Sequence, residues 1–280
     1  MMDLRPIGDV ALCSLMESPD ALVKNEGWHR RLGKGARWAG GVLLDLVYPP
    51  VCLGCDAPTA VANTICPDCF TGLRPITAPL CPVMGLPFEI SLGPGALSAE
   101  ALADPPPFGR ARAAVIYNEM ARTLVSRLKY GDRPELAQFC ARLMAGAGHE
   151  LWAGAPILVP VPLHRARQRE RRYNQSTELA NALGKLTGLR VDTSLVQRTR
   201  KTRQQVGLTG DGRQRNVQGA FAVHPDILVR AKGRPIVLID DVYTTGATIK
   251  AVTRTLLKAG VETVDVMSFA RVVIGAELPI

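Results

Sequence analysis

With 280 residues, 47% hydrophobic and 21% charged, the chain has apolar mass for a substantial core and length for one or two domains. Lys and Arg outnumber Asp and Glu by 34 to 25; the resulting net charge of +9 suits a polyanionic partner, either nucleic acid or a phosphorylated small molecule, without choosing between them. No run reaches the roughly 18 apolar residues of a membrane span, and acids near the start interrupt any signal-peptide core, so composition predicts a cytoplasmic protein.

Residues 1–36 carry scattered charge without sustained periodicity, which predicts a disordered N-terminal extension. Gly40–Pro50, GGVLLDLVYPP, has apolar residues at helical spacing and stops at a proline pair, as a short amphipathic helix would. Two Cys-x-x-Cys knuckles follow, CLGC at Cys52–Cys55 and CPDC at Cys66–Cys69. Four thiolates so spaced can enclose zinc tetrahedrally with no open position, so Cys52, Cys55, Cys66 and Cys69 are expected to hold a structural metal. A redox pair or unmetallated core thiols are the plainer alternative. The module is assigned residues 37–92, and the Gly/Pro-rich stretch 93–108 reads as a linker.

From 109 to 280 the pattern changes to short apolar runs alternating with helical periodicity. ARAAVIY (Ala111–Tyr117), PILVPVPL (Pro156–Leu163), IVLID (Ile236–Asp240) and the VETVDVMSFARVV run (Val261–Val273) read as strands. Helical stretches lie between and after them, which predicts βαβ units and a parallel sheet. No internal repeat is evident. The fold class expected is α/β, a parallel-sheet domain preceded by a small zinc-binding module.

The most specific segment is VLIDDVYTTGAT, Val237–Thr248. In open α/β sheets ligands bind beyond the carboxyl ends of strands, and here two adjacent carboxylates occupy such an end. Thr244, Thr245, Gly246, Ala247 and Thr248 then open a helix whose free N–H groups and dipole favour an anion. A sugar phosphate satisfies both halves, with hydroxyls on the acids and phosphate in the threonine loop; a bound magnesium would offset the carboxylate repulsion. Simple helix capping is one alternative. A Walker-B strand is another, but the chain has no G-x-x-x-x-G-K-[ST] loop. The segment resembles the 5-phosphoribosyl-1-pyrophosphate (PRPP) motif of type I phosphoribosyltransferases. That resemblance makes Asp240 and Asp241 the catalytic acids facing the ribose hydroxyls, and makes Asp240, Asp241, Val242, Tyr243 and the loop Thr244–Thr248 the PRPP-binding stretch. Thr244 stands where hypoxanthine–guanine-type members carry a third acid, which disfavours a 6-oxopurine acceptor.

Two basic segments suit a pyrophosphate. Val159–Gln175 places His164, Arg165, Arg171 and Arg172 after an apolar run, a guanidinium-dense loop able to bind pyrophosphate oxygens. Gln197–Val223 reads as a long basic surface loop, a lid candidate in which Arg203 and Gln204 are singled out. A solvated basic surface or nucleic-acid binding is the competing use of both.

The knuckles, PPPF, SRLKYGDR, VPVPLHR, RRYNQ, QRTRKTRQQ and VLIDDVYTTGAT together resemble the ComF family, over residues 40–275. The resemblance implies a double zinc ribbon joined to a phosphoribosyltransferase-like domain, zinc as structural metal, Mg²⁺ arriving with PRPP, and an association with natural competence. Its alternative function is single-stranded DNA binding with PRPP regulatory or vestigial, and its implied partners include a competence helicase or another DNA-uptake protein. The chain departs from the family where further cysteine pairs are usual: CPVMG keeps Cys81 with Met84 in the partner position, and the later pair is absent. A single zinc, with Cys81 a packed thiol, is expected.

Overall fold

The computed structural model describes residues 49–130, 133–163, 173–200, 219–223, 225–231 and 233–273. Its centre is a four-stranded sheet, ordered β1 (Ala111–Ile116), β6 (Val264–Arg271), β5 (Ile236–Tyr243), β2 (Ile157–Pro160), with every pair parallel. All eight residues of β6 are buried, as a central parallel strand requires. Successive side chains of β5 and β6 alternate between two apolar layers. Val237, Ile239, Met267 and Phe269 meet the layer holding α3 (Glu119–Tyr130), α4 (Glu135–Ala147) and α5 (Gln175–Thr187). Ile236, Leu238, Val264 and Val266 meet Ile249, Val252 and Leu256 of α7 (Ala247–Lys258).

The strands fall where apolar runs predict them, with one difference that matters. β5 does not end at Asp240 but continues to Tyr243, because β6 runs alongside it as far as the Tyr243–Arg271 pair. The two acids therefore sit within the C-terminal half of a paired strand, with their backbone held. The ends of the expected basic loop also pair: β3 (Val196–Arg198) and β4 (Phe221–Val223) form an antiparallel two-stranded sheet.

The cysteine module is built twice. Around the first knuckle, Val51 bridges Pro58, and the N–H groups of Cys52, Asp56 and Thr59 donate to the carbonyls of Ala57, Cys52 and Pro50. Around the second, Leu80 bridges Pro87, and Cys81, Gly85 and Phe88 donate to Leu86, Cys81 and Pro79 in the same order. Each knuckle is followed by a five-residue helix, α1 (Pro67–Thr71) and α2 (Ala99–Ala103). The amide of Cys66 donates to Cys52 Sγ at 3.1 Å, and that of Ser98 to Cys81 Sγ at 3.4 Å. Cys52, Cys55, Cys66 and Cys69 thus correspond to Cys81, Met84, Ser98 and Ala101, all four of the latter buried. The residues alone do not show the repeat, because Met84, Ser98 and Ala101 stand at three of its four cysteine positions; only the family resemblance pairs Cys81 with Met84. It also places helix α2, capped by Ser98 Oγ, inside the 93–108 stretch expected to be a linker.

Candidate functional site

The acidic pair is held by donors from three elements. Asp240 Oδ1 accepts from Ser176 Oγ, in the first turn of α5, at 3.0 Å and from the Asp241 amide at 3.0 Å. Asp241 Oδ1 accepts from the Val242 amide at 2.8 Å, and its Oδ2 pairs with Lys129 Nζ, from the last turn of α3, at 2.6 Å. Ser176 is aimed by the cap of α5, where Asn174 Oδ1 accepts from the Ser176 amide while Asn174 Nδ2 donates to Val161 O. Burial, then the neighbouring Asp241 charge, pushes the Asp240 carboxyl up to about 7, against the pull of Lys129 and Ser176. Asp240 Oδ2 accepts no hydrogen bond from the described residues.

Immediately after the pair, Thr244 and Thr245 are exposed and Gly246 starts α7 with φ +69°. Glycine is required here twice over. The left-handed backbone disfavours a side chain, and a Cβ would collide with the Tyr243 phenol, 2.5 Å from Cζ. Tyr243 is buried beneath the loop, its hydroxyl without a hydrogen-bond partner among the described residues. Burial moves that phenol up to about 12, although Arg271 opposes the rise. The Arg271 guanidinium lies 4.2 Å from the Tyr243 ring centroid and donates to Met84 O at 2.6 Å and to Glu100 Oε2 at 3.2 Å. Lys250, one turn into α7, pairs with Asp104 at 2.7 Å. The second half of the ribbon, around Cys81 and Met84, and its helix therefore carry the support of the loop.

The first knuckle fits a metal. The four Sγ atoms of Cys52, Cys55, Cys66 and Cys69 lie within 4.8 Å of one another, with Cys55 and Cys66 3.6 Å apart. A tetrahedral site with Zn–S bonds of about 2.3 Å sets sulfurs about 3.8 Å apart, so the donor set matches a structural zinc. Burial alone would raise the Cys52 thiol, yet amide donation from Cys66, Cys55 and Gly54 brings it down to about 6, toward the thiolate a metal needs. Cys81 keeps analogous amide donors from Ser98 and Met84, but Met84, Ser98 and Ala101 complete no thiolate set. Cys140 is fully buried in the core, and His149 is exposed.

Of the residues marked by sequence, Asp240, Asp241 and Val242–Thr248 form one continuous site and the four cysteines another. His164, Arg165, Arg171, Arg172, Arg203 and Gln204 lie outside the described residues, as do 1–36. Lys129 and Ser176 were not singled out: Lys129 falls within SRLKYGDR and Ser176 directly follows RRYNQ, but only the packing of α3 and α5 on β5 brings them to the acids. Among the described residues no helix is long and apolar enough to cross a membrane.

The double zinc ribbon domain family matches residues 43–101. DNA utilization protein YhgH of Escherichia coli O6:H1 is 32% identical over 232 residues, 81% of this chain and 99% of that protein. Competence protein F of Haemophilus influenzae is 32% identical over 165 residues, 55% of this chain and 69% of that one. Among solved structures, a hypoxanthine phosphoribosyltransferase from Staphylococcus aureus aligns with TM-score 0.31 and 14% identity, over 49% of this chain and 64% of that one.

Proposed function

The chain belongs to the ComF family, and on that premise we propose that the Asp240–Thr248 site binds PRPP with Mg²⁺ as a protein of the phosphoribosyltransferase type. The observation that carries the reading is the juxtaposition of a hydrogen-bonded acidic pair with a glycine-hinged threonine loop at the start of a twelve-residue helix. The ribose hydroxyls donate to Asp240 and Asp241. The 5-phosphate takes the amides and hydroxyls of Thr244, Thr245 and Thr248 at the helix start. His164, Arg165, Arg171 and Arg172 bind the pyrophosphate, and Arg203 and Gln204 belong to the loop that closes over it. In transfer, the bond from ribose C1 to the pyrophosphate oxygen breaks, both electrons leave with pyrophosphate, and an acceptor bonds to C1. Mg²⁺ offsets the charge of the pyrophosphate it arrives with. The acids hold the sugar while charge develops at C1.

Isothermal titration with PRPP and Mg²⁺ tests the reading. Wild type binds, and the Asp240→Asn/Asp241→Asn double variant loses affinity; equal binding by both, or none by wild type, overturns it. A second reading is single-stranded DNA binding within a DNA-uptake assembly. The net charge of +9 and the relatives' names favour it. Its signature is a steep fall in affinity with salt, and no binding at low salt removes it.

A further inference from the structure

Two adjacent carboxylates ordinarily need a cation, and in this site the chain supplies one. Lys129 Nζ lies 2.6 Å from Asp241 Oδ2, with side chains 23% and 13% exposed, so the pair is shielded from bulk water. The position of the lysine is fixed by more than its own charge. Residues Ala121, Leu124, Val125 and Leu128 bury the inner face of α3. The Tyr173 hydroxyl donates to Leu128 O at 2.6 Å, and Arg127 grips Asp56, beside Cys55, through Nη1 at 2.8 Å and Nη2 at 2.7 Å. A second arginine, Arg133, reaches the same carboxylate at 2.9 Å. The last turn of α3 is thus tethered to the metal knuckle at one end of a helical turn and to the acidic pair at the other.

From this arrangement we propose that Lys129 is a ligand-binding residue that makes the acidic pair a receptor for a neutral diol rather than a divalent-cation site. The inference rests on the ribose-phosphate reading above and adds how charge is balanced in it. With Asp241 Oδ2 already paired, a metal ion on the carboxylates would have to displace an ammonium held at contact distance. A sugar hydroxyl needs only an acceptor, and Asp240 Oδ2 offers one free of hydrogen bonds from the described residues. A sugar oxygen can join or replace the ammonium's other contacts while the pair with Asp241 is kept. Magnesium then belongs with the pyrophosphate, not with the acids, and a ligand without pyrophosphate has no need of it.

Ribose 5-phosphate separates these cases because it carries the diol and the 5-phosphate but no pyrophosphate. Calorimetric titration of the full chain should show the same ribose 5-phosphate affinity with Mg²⁺ and with a magnesium chelator. Lys129→Met should lose about tenfold or more without divalent cation, since it leaves a carboxylate unpaired. The same variant, ligand-free, should gain at least about tenfold in Mn²⁺ affinity, read by the loss of free Mn²⁺ signal in electron paramagnetic resonance. Lys129→Arg should stay near wild type in both measurements, and Lys129→Gln serves in place of the methionine variant if that one fails to fold. A wild type that needs Mg²⁺ to bind ribose 5-phosphate, or a Met variant unchanged in either measurement, overturns the assignment. If wild type binds ribose 5-phosphate and Asp240→Asn/Asp241→Asn abolishes it while Lys129→Met does not, only the lysine assignment falls. If folded wild type binds neither ribose 5-phosphate nor PRPP, both readings fall together.

Discussion

Gly246→Ala is the sharpest single perturbation of the loop. At φ +69° an alanine pays about 1 kcal/mol or slightly more for a left-handed backbone. Its methyl also meets the Tyr243 phenol, with Cζ only 2.5 Å away. The phenol has no room to retreat: Tyr243 is 1% exposed, with Arg271 stacked on its ring and Phe108 edge-on at 6.3 Å. Overpacking of that kind costs about 1–3 kcal/mol, for a sum of about 2–4 kcal/mol. That strain can appear as lower stability or as a displaced loop, so two assays are needed. Urea denaturation should show a lower midpoint at unchanged slope. Titration with PRPP should show a loss of about thirtyfold if 2 kcal/mol is expressed at the loop. Replacing Tyr243 by leucine in the same background opens the space and should restore part of the loss. A Gly246→Ala protein with wild-type midpoint and wild-type affinity refutes the account of the loop.

The acidic pair gives a pH prediction whose sign is unusual for a carboxylate. The Asp240 pKa is raised from about 3.8 to about 7 on folding, so between those values the native state holds a proton that the unfolded chain has released. Stability is therefore greatest at low pH with respect to this group and falls by up to about 1.4 kcal/mol per pH unit through the window. Asp240→Asn should flatten that slope in denaturation midpoints measured from pH 5 to pH 7, while ribose binding should strengthen as pH rises through 7 and frees the acceptor. Metal analysis of purified protein should find about one zinc per chain, set by the single four-thiolate cluster among the described residues, and Cys55→Ser should lose it; two equivalents would contradict the degenerate second half of the ribbon. At the loop support, Glu100→Leu should destabilise by about 2 kcal/mol because it leaves the Arg271 charge, 2% exposed, with only Met84 O and the Tyr243 ring to offset it, whereas Arg271→Met should cost less, because Glu100, its side chain 41% exposed, can turn to water. The reverse order in denaturation experiments would contradict that assignment of burial.

What was legible in the chain was legible for local reasons. β5 and β6 read as strands because unbroken apolar runs suit parallel strands buried on both faces, and the Cys-x-x-Cys pairs read as a metal site because their spacing alone lets both sulfurs face one ion. The end of β5 was misplaced at Asp240 because two charges look like a stop, while pairing with β6 carries the strand to Tyr243. Asp240 and Asp241 were visible, but their partners were not. Ser176 lies 64 residues from Asp240, and nothing in helical periodicity separates Lys129 from an ordinary solvated lysine in the last turn of a helix. The repeat of the knuckle was hidden for a different reason. Its hydrogen bonds are main-chain, so the fold survives when the cysteines that would announce it become Met84, Ser98 and Ala101.

That survival explains why a knuckle without its thiolates can persist. A zinc ribbon too small for its own core depends on its metal for stability. The second knuckle is not left alone: Met84 and Ala101 are buried in the apolar layer that includes Tyr243 and Ile249, Glu100 reaches Arg271, and Asp104 reaches Lys250. Contacts with the sheet domain replace the contribution a second metal would make, and they fall on the residues that support the threonine loop. The first half of the ribbon retains its thiolates and connects to the acidic pair, through Asp56, Arg127 and the last turn of α3 to Lys129. Each half of the ribbon therefore braces one half of the site, the metal-binding half the acids and the metal-free half the loop. If the site binds PRPP as proposed, loss of the zinc should disturb the contacts of the acids with the ribose before those of the threonine loop with the 5-phosphate.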